Sequence, residues 1–334
     1  MKVSLSNLSV GYRRRVVASN LNLSIAAGEL VALTGCNGAG KSTLLRTVAR
    51  LQPALSGEIE LAGKPLGEYP RSALAGLLSI VSTETVNVAH LTVRQLVSLG
   101  RFPHTNWLGK LTTKDVELVE EAMQLTGITS LAHKNLHEIS DGERQRAMIA
   151  RTLAQDTDII LLDEPTAYLD MPNKYEIMNL LQRLTRTKQK TILISTHDLQ
   201  IAMQEADKLW LMIDGFIVDG APEDLALKQQ LSRMFEGTNL HFDDLRGHFN
   251  AKRHDLKNIS AFGEEKLFFW TKKALERLGY AVSLEENENR ADIVIKTEAG
   301  LTVWILKNYK GSPKFASIYD LAKYLTSTIF FEKK

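Results

Sequence analysis

The stretch that most constrains this chain runs from Gly35 to Ser42, Gly-Cys-Asn-Gly-Ala-Gly-Lys-Ser. It fits a phosphate-loop pattern: Gly, four free positions, then Gly-Lys-Ser. The apolar run Leu30-Val31-Ala32-Leu33 before it predicts a buried strand, and Ser42 to Arg50 after it predicts a helix. Strand, glycine loop and helix start direct several backbone N–H groups and a helix dipole at one anion. Gly35, Gly38 and Gly40 let the chain curl around phosphate oxygens, where a Cβ would obstruct. In such a loop Lys41 reaches the β- and γ-phosphates and the Ser42 hydroxyl ligates Mg²⁺. The expectation is a chain that binds a nucleoside triphosphate.

Composition narrows the class. At 334 residues the chain suits two domains, and 44% hydrophobic residues suffice for real cores. A net charge of +2 argues against a broad nucleic-acid or acidic-membrane footprint. Arg13-Arg14-Arg15 is a local cluster that reads as a solvated turn. The single cysteine, Cys36, excludes an internal disulfide, fits a reducing compartment and reads as a small filler in the phosphate loop. No signal peptide opens the sequence and no apolar run is long enough to span a bilayer, so a membrane role must come through a partner.

Met1 to Val10 and Leu21 to Ile25 alternate apolar and polar residues as half-buried strands do, with Gly11-Tyr12 between them. There the Tyr12 ring is available to stack on adenine. Glu58 to Leu61 and Leu77 to Val81 read as short strands. From about 84 to 156 the pattern turns helical. Leu91, Val93, Leu96 and Leu99 share a face that Gly100 ends; Val116, Val119, Ala122 and Met123 share another, with Thr113 as N-cap and Gly127 as the stop. Asp158 to Leu162 and Thr191 to Ser195 are strands around a helix from Pro172 to Thr185, which argues for a mainly parallel, covered sheet. Lys208 to Ile213 and Phe216 to Asp219 form a hairpin across Asp214-Gly215. Residues 238–260 are polar, with scattered aromatics, and read as a linker. Residues 261–334 read as an α+β unit: a helix from Glu264 to Leu278, strands at Ala281–Leu284, Ala291–Lys296 and Leu301–Lys307, and a helix from Phe315 to Thr328.

Asp163 ends an apolar run, where a carboxylate can hold Mg²⁺ opposite Ser42. Glu164 beside it is placed to orient or deprotonate an attacking water, and His197 ends the next strand within reach of a γ-phosphate. Ile139-Ser140-Asp141-Gly142-Glu143 precedes a helical run, so its hydroxyl, free N–H groups and dipole make a second anion site.

With these residues the chain resembles the nucleotide-binding subunit of an ATP-binding cassette (ABC) transporter. Gly35–Ser42 matches the first Walker motif, Ile159–Asp163 the second, and Glu164 the catalytic carboxylate. Ile139–Glu143 matches the Leu-Ser-Gly-Gly-Gln signature, Ala167-Tyr168-Leu169-Asp170 the loop that crosses the dimer interface, His197 the switch histidine and Tyr12 the adenine-stacking aromatic. The resemblance covers residues 1 to about 237. It implies an α/β P-loop NTPase core with an antiparallel β subdomain and an inserted helical subdomain, followed by the small C-terminal α+β domain. It implies ATP held by Tyr12, by Gly35, Cys36, Asn37, Gly38, Ala39, Gly40, Lys41, Ser42 and Thr43, and by Ser140, Asp141, Gly142, Glu143 and Asp170 of a second copy. Mg²⁺ would sit at Ser42, Asp163 and Thr83, with Glu164, His197 and Lys41 in catalysis. The implied partners are that second copy, two permease subunits and, indirectly, a substrate-binding protein, with no nucleic acid. The implied place is the cytoplasmic face of the cell membrane. Leu91 to Val97 and Gly100-Arg101-Phe102-Pro103 are similar to importers of siderophores, haem or vitamin B12.

Thr83 stands where the family carries glutamine, Asp141 where it carries the first signature glycine, and Glu143 where it carries glutamine. An acidic pair there needs Arg144 or Arg146 for balance. Two other readings stay open: a soluble ABC ATPase acting on DNA or ribosomes, and an interaction subunit that has lost hydrolysis. The tail reads as a regulatory domain or a passive extension. A nuclease constellation on Asp292 and Lys307 would want an acid two residues before the lysine, where Ile305 stands.

Overall fold

The computed structural model describes residues 1–13, 15–82, 90–105, 109–243, 247–251, 257–298, 300–307 and 311–331. Strand Leu30–Gly35 lies inside a six-stranded sheet, ordered Phe216–Gly220, Lys208–Ile213, Leu30–Gly35, Thr191–Thr196, Ile159–Asp163, Leu78–Val81. All neighbours run parallel except the first two, which form the expected hairpin. These strands read as continuous apolar runs because both faces are covered. Leu30, Ala32, Ile160, Leu162, Ile192 and Ile194 belong to one core, and Val31, Leu33, Ile159, Leu161 and Leu193 to the other. The second core also takes in the four-stranded antiparallel sheet Arg15–Ile25, Val3–Tyr12, Ser56–Leu61, Lys64–Pro65.

Several boundaries differ from expectation. Gly11 and Tyr12 are inside strand Val3–Tyr12, paired with Val16 and Arg15, so Arg15, expected in a turn, already belongs to the next strand. Thr112, not Thr113, caps helix Thr113–Leu125, because Asp115 three residues on returns a bond to the Thr112 N–H. Gly100 does not end the chain's helical path, which tightens into a 3₁₀ turn over Leu99–His104. The glycine is there for another reason: a Cβ on it would meet the Arg151 carbonyl oxygen at 2.0 Å. Next to it Arg101 is buried, its Nε donating to Asp115 Oδ1 at 2.8 Å and its Nη1 to the Ala154 carbonyl at 2.8 Å. This ion pair ties the 3₁₀ turn to helices Thr113–Leu125 and Asp141–Ala154.

The chain divides into two units, Met1–Thr238 with Phe242–Phe249, and Asn239–His241 with Asn250–Lys334. The stretch expected as a linker is built instead. Strands Leu240–Asp243 and His248–Ala251 pair with each other, and Lys257–Phe262 is an interior strand of the second unit. Its aromatics explain the difference. Phe242 is buried, and the Phe249 ring lies 5.0 Å from it and 4.6 Å from Phe235, an apolar cluster that outweighs the polar composition.

The second unit carries a five-stranded sheet, ordered Tyr280–Leu284, Lys257–Phe262, Ile293–Glu298, Leu301–Leu306, Lys314–Phe315. Helices Glu265–Arg277 and Ile318–Phe331 cover one face through Leu275, Leu321 and Leu325. Phe315, expected in the last helix, is in the short strand before it.

Candidate active site

Strand register sets the site. Asp163 pairs with Ser195 and Thr34 with Thr196, so three strands end on the same edge of the six-stranded sheet. That is where ligands bind in parallel α/β sheets. The loop after strand Leu30–Gly35 turns through Gly38 at φ 78° and Gly40 at φ 113°. A Cβ on Gly40 would also meet Val17 Cγ1 at 1.9 Å, so the loop's path requires glycine there. Cys36 and Asn37 are exposed, and the Ala39 N–H donates to the Cys36 carbonyl at 3.1 Å. Lys41 is buried and arches back over the loop. Its Nζ donates to the Gly35 carbonyl at 3.0 Å and the Cys36 carbonyl at 3.3 Å.

The two carboxylates meet the start of the following helix, Asp163 at Ser42 and Glu164 at Lys41. Ser42 Oγ donates to Asp163 Oδ1 at 3.0 Å, although the two residues are 121 apart in sequence. Glu164 Oε1 lies 3.9 Å from Lys41 Nζ, and Glu164 Oε2 lies 3.0 Å from His197 Nδ1. Glu164 itself sits in left-handed backbone at φ 50°. Its N–H is shared between the Ser195 carbonyl at 3.2 Å and the Ser195 hydroxyl at 2.9 Å. That same hydroxyl donates to Asp163 Oδ1 at 2.5 Å. Sequence reasoning passed over Ser195. Its signal was a hydroxyl closing an otherwise apolar buried run, which obliges it to find a partner. Tyr12 is half exposed, its phenol oxygen accepting from the buried Thr43 hydroxyl at 3.3 Å. Thr83 lies outside the described residues.

The comparisons agree with this architecture. An ABC transporter family model matches residues 18–167, and a model of the iron ABC transporter C-terminal domain matches residues 256–326. The petrobactin import ATP-binding protein FpuD of Bacillus anthracis is 41% identical over 229 residues, spanning 68% of this chain and 84% of that protein. The chain belongs to the ABC transporter ATP-binding proteins. The ferric enterobactin transport ATP-binding protein FepC of Escherichia coli (strain K12) is 38% identical over 238 residues, spanning 71% of this chain and 88% of that protein. Among solved structures, the dimeric post-hydrolysis state of the ATP-binding cassette MJ0796 bound to ADP and Pi has a TM-score of 0.58 at 26% identity. The match covers 66% of this chain and 98% of that one. As an ABC ATPase, the protein binds and hydrolyses ATP.

In this ABC ATPase the residues expected as the signature start helix Asp141–Ala154. The Ser140 hydroxyl accepts from the Glu143 N–H at 3.3 Å, and Glu143 Oε2 accepts from the Ser140 N–H at 2.8 Å and its hydroxyl at 3.0 Å. The Ser140 N–H, then its hydroxyl, hold the Glu143 carboxyl below the ordinary range. Glu143 is therefore occupied as a cap. Of the two candidate counter-charges only Arg144 approaches Asp141, at 3.5 Å; Arg146 pairs with Glu176. Asp170 caps helix Met171–Lys188, accepting from the Asn173 N–H at 3.1 Å and its side-chain amide at 2.7 Å. Tyr168, just before it, is 98% exposed at φ 63°.

The nuclease constellation does not assemble in the second unit. Asp292 Oδ2 accepts from the Ser260 N–H and hydroxyl at 2.8 and 2.9 Å. Lys307 Nζ turns instead to Glu288, whose Oε1 also takes Lys296 at 2.7 Å. Ile305 pairs with Val294, so no second acid stands there.

Proposed function

We propose that this ABC ATPase energises import of an iron chelate, a siderophore or haem, or of vitamin B12. It works as a head-to-tail dimer held peripherally on two permease subunits at the cytoplasmic face of the membrane. The observation that carries the catalytic reading is Glu164 lying 3.9 Å from Lys41 and 3.0 Å from His197, next to the Asp163 that accepts from Ser42. The iron cargo is supported by the match of residues 256–326 to an iron ABC transporter C-terminal domain and by relatives named for petrobactin and ferric enterobactin. Their import roles favour transport over work on DNA or ribosomes. No helix among the described residues is long and apolar enough to cross a membrane, which is consistent with membrane-spanning partners.

Hydrolysis here is mostly positioning and charge stabilisation. Lys41 and the loop N–H groups hold the β- and γ-phosphates, and Tyr12 stacks on adenine. Ser42 and Asp163 would hold Mg²⁺; their hard oxygens fit it, and the ion would neutralise phosphate charge. Among the described residues no three His, Cys, Asp or Glu side chains form a metal cage, and nucleotide and water would supply further ligands. Thr83 is proposed to contribute a hydroxyl there. Glu164 orients the attacking water and accepts its proton, and His197 contacts the γ-phosphate. Ser140, Asp141, Gly142 and Asp170 of a second copy close the site. Deleting the gene and measuring uptake of radiolabelled ferric siderophores, haem and vitamin B12 tests the cargo. Unchanged uptake of all three would reject it.

A further inference from the structure

We propose that Ser195 is a positioning residue that sets both active-site carboxylates through one hydroxyl, holding Asp163 for the metal and Glu164 for the water. The proposal rests on the reading of Asp163 and Glu164 given above. Ser195 is 0% exposed, so its Oγ must find its partners within the protein. A hydroxyl has one hydrogen and two lone pairs. The hydrogen goes to Asp163 Oδ1 at 2.5 Å, and a lone pair takes the Glu164 N–H at 2.9 Å. One atom thereby fixes the plane of the first carboxylate and the backbone of the second.

Two features make this more than packing. Asp163 Oδ1 has a second donor, Ser42 Oγ at 3.0 Å, but that hydroxyl belongs to the phosphate loop and is the one a nucleotide-bound cation would recruit. Ser195, sealed from solvent, keeps its bond when Ser42 is diverted. Glu164 meanwhile occupies left-handed backbone, a conformation that is unfavourable for a non-glycine residue and persists only where surrounding bonds determine it. The Ser195 hydroxyl supplies the shorter of the two bonds that the Glu164 N–H makes. Ser195→Ala removes the hydroxyl and leaves the carbonyl partner, so the strand keeps its ladder while both carboxylates loosen.

The test uses the full chain with Ser195→Ala and Ser195→Thr. ATP binding is measured calorimetrically with and without Mg²⁺, and turnover is followed against Mg²⁺ concentration, below the melting point of either variant. Loss of an outer partner of a metal ligand weakens metal affinity by roughly tenfold or more. Ser195→Ala should therefore leave Mg²⁺-free ATP binding unchanged and raise the half-saturating Mg²⁺ concentration by about tenfold. It should also lower kcat, and Ser195→Thr, which keeps a hydroxyl, should recover most of both. Wild-type Mg²⁺ dependence in Ser195→Ala would overturn the proposal. So would an equal loss of ATP affinity with and without Mg²⁺, which marks general loosening, or a folded Ser195→Thr that recovers nothing. The binding arm does not depend on the identity of the base: normal turnover in Glu164→Gln would reject Glu164 as base while leaving the Mg²⁺ result for Asp163 to stand or fall alone.

Discussion

Glu164 is held from both sides: its Oε2 lies 3.0 Å from His197 Nδ1 and its Oε1 lies 3.9 Å from Lys41 Nζ. In the function proposed above, the γ-phosphate attracts the same two side chains. Nucleotide would then compete with the carboxylate for Lys41 and His197, and would leave Glu164 free to take water. Charge and hydrogen bonding suffice for this exchange.

Replacing Glu164 with Gln keeps size and removes the proton acceptor. ATP binding should persist, turnover should fall by about 10²-fold or more, and an ATP-bound dimer should accumulate. Phosphate release and size-exclusion chromatography with ATP check both outcomes; normal turnover would dismiss Glu164 as the base.

Ser140→Ala separates the two anion sites. Losing the cap on helix Asp141–Ala154 should cost about 1 kcal/mol of stability. Equilibrium ATP binding by isolated protomers should stay at wild-type level, because the phosphate loop is untouched, while turnover drops. Parallel loss of binding and turnover would contradict a shared site completed by a second copy.

Asp115→Ala breaks the buried pair with Arg101 and should cost about 3 kcal/mol near neutral pH. The Thr112 hydroxyl, the Thr112 N–H and Arg101 together hold the Asp115 carboxyl at about 2, below the usual 3.8. A depressed folded value means that the ionised form supports the fold. Its contribution is complete above about pH 4 and disappears as pH falls through 2. Melting curves of wild type and variant should accordingly converge across that window, and a gap that stays constant would refute the assignment.

Gly100→Ala places a Cβ against the Arg151 carbonyl oxygen. The 3₁₀ turn must then shift away from helix Asp141–Ala154, at a cost of about 2 kcal/mol. Urea unfolding reads this directly; a neutral substitution would show that the turn can move freely.

Local patterns make the nucleotide-binding core legible in the sequence. The phosphate loop, the apolar strands and Asp163-Glu164 announce themselves because two-sided burial writes long apolar runs and because a loop as tight as that at Gly40 leaves no room for a Cβ. Partners far apart in sequence were harder to see. Neither Arg101 with Asp115 nor Ser195 with Asp163 leaves a spacing signal, since register and helix packing bring them together. Thr112 and Thr113 are equivalent as isolated cap candidates, and only the reciprocal bond from Asp115 distinguishes them. The stretch around Phe242 and Phe249 read as a linker because its few apolar residues act through clustering and carry no period.

Gly142 adjoins Asn173, whose Oδ1 would lie 2.9 Å from a Cβ built on that glycine, and Asn173 is in turn bonded to Asp170. At the preceding position the Asp141 side chain is 73% exposed and meets no such obstacle. The two positions therefore differ in tolerance: a charged side chain at 141 extends into solvent, whereas a side chain at 142 would press on the Asn173 amide and on the bond it makes to Asp170.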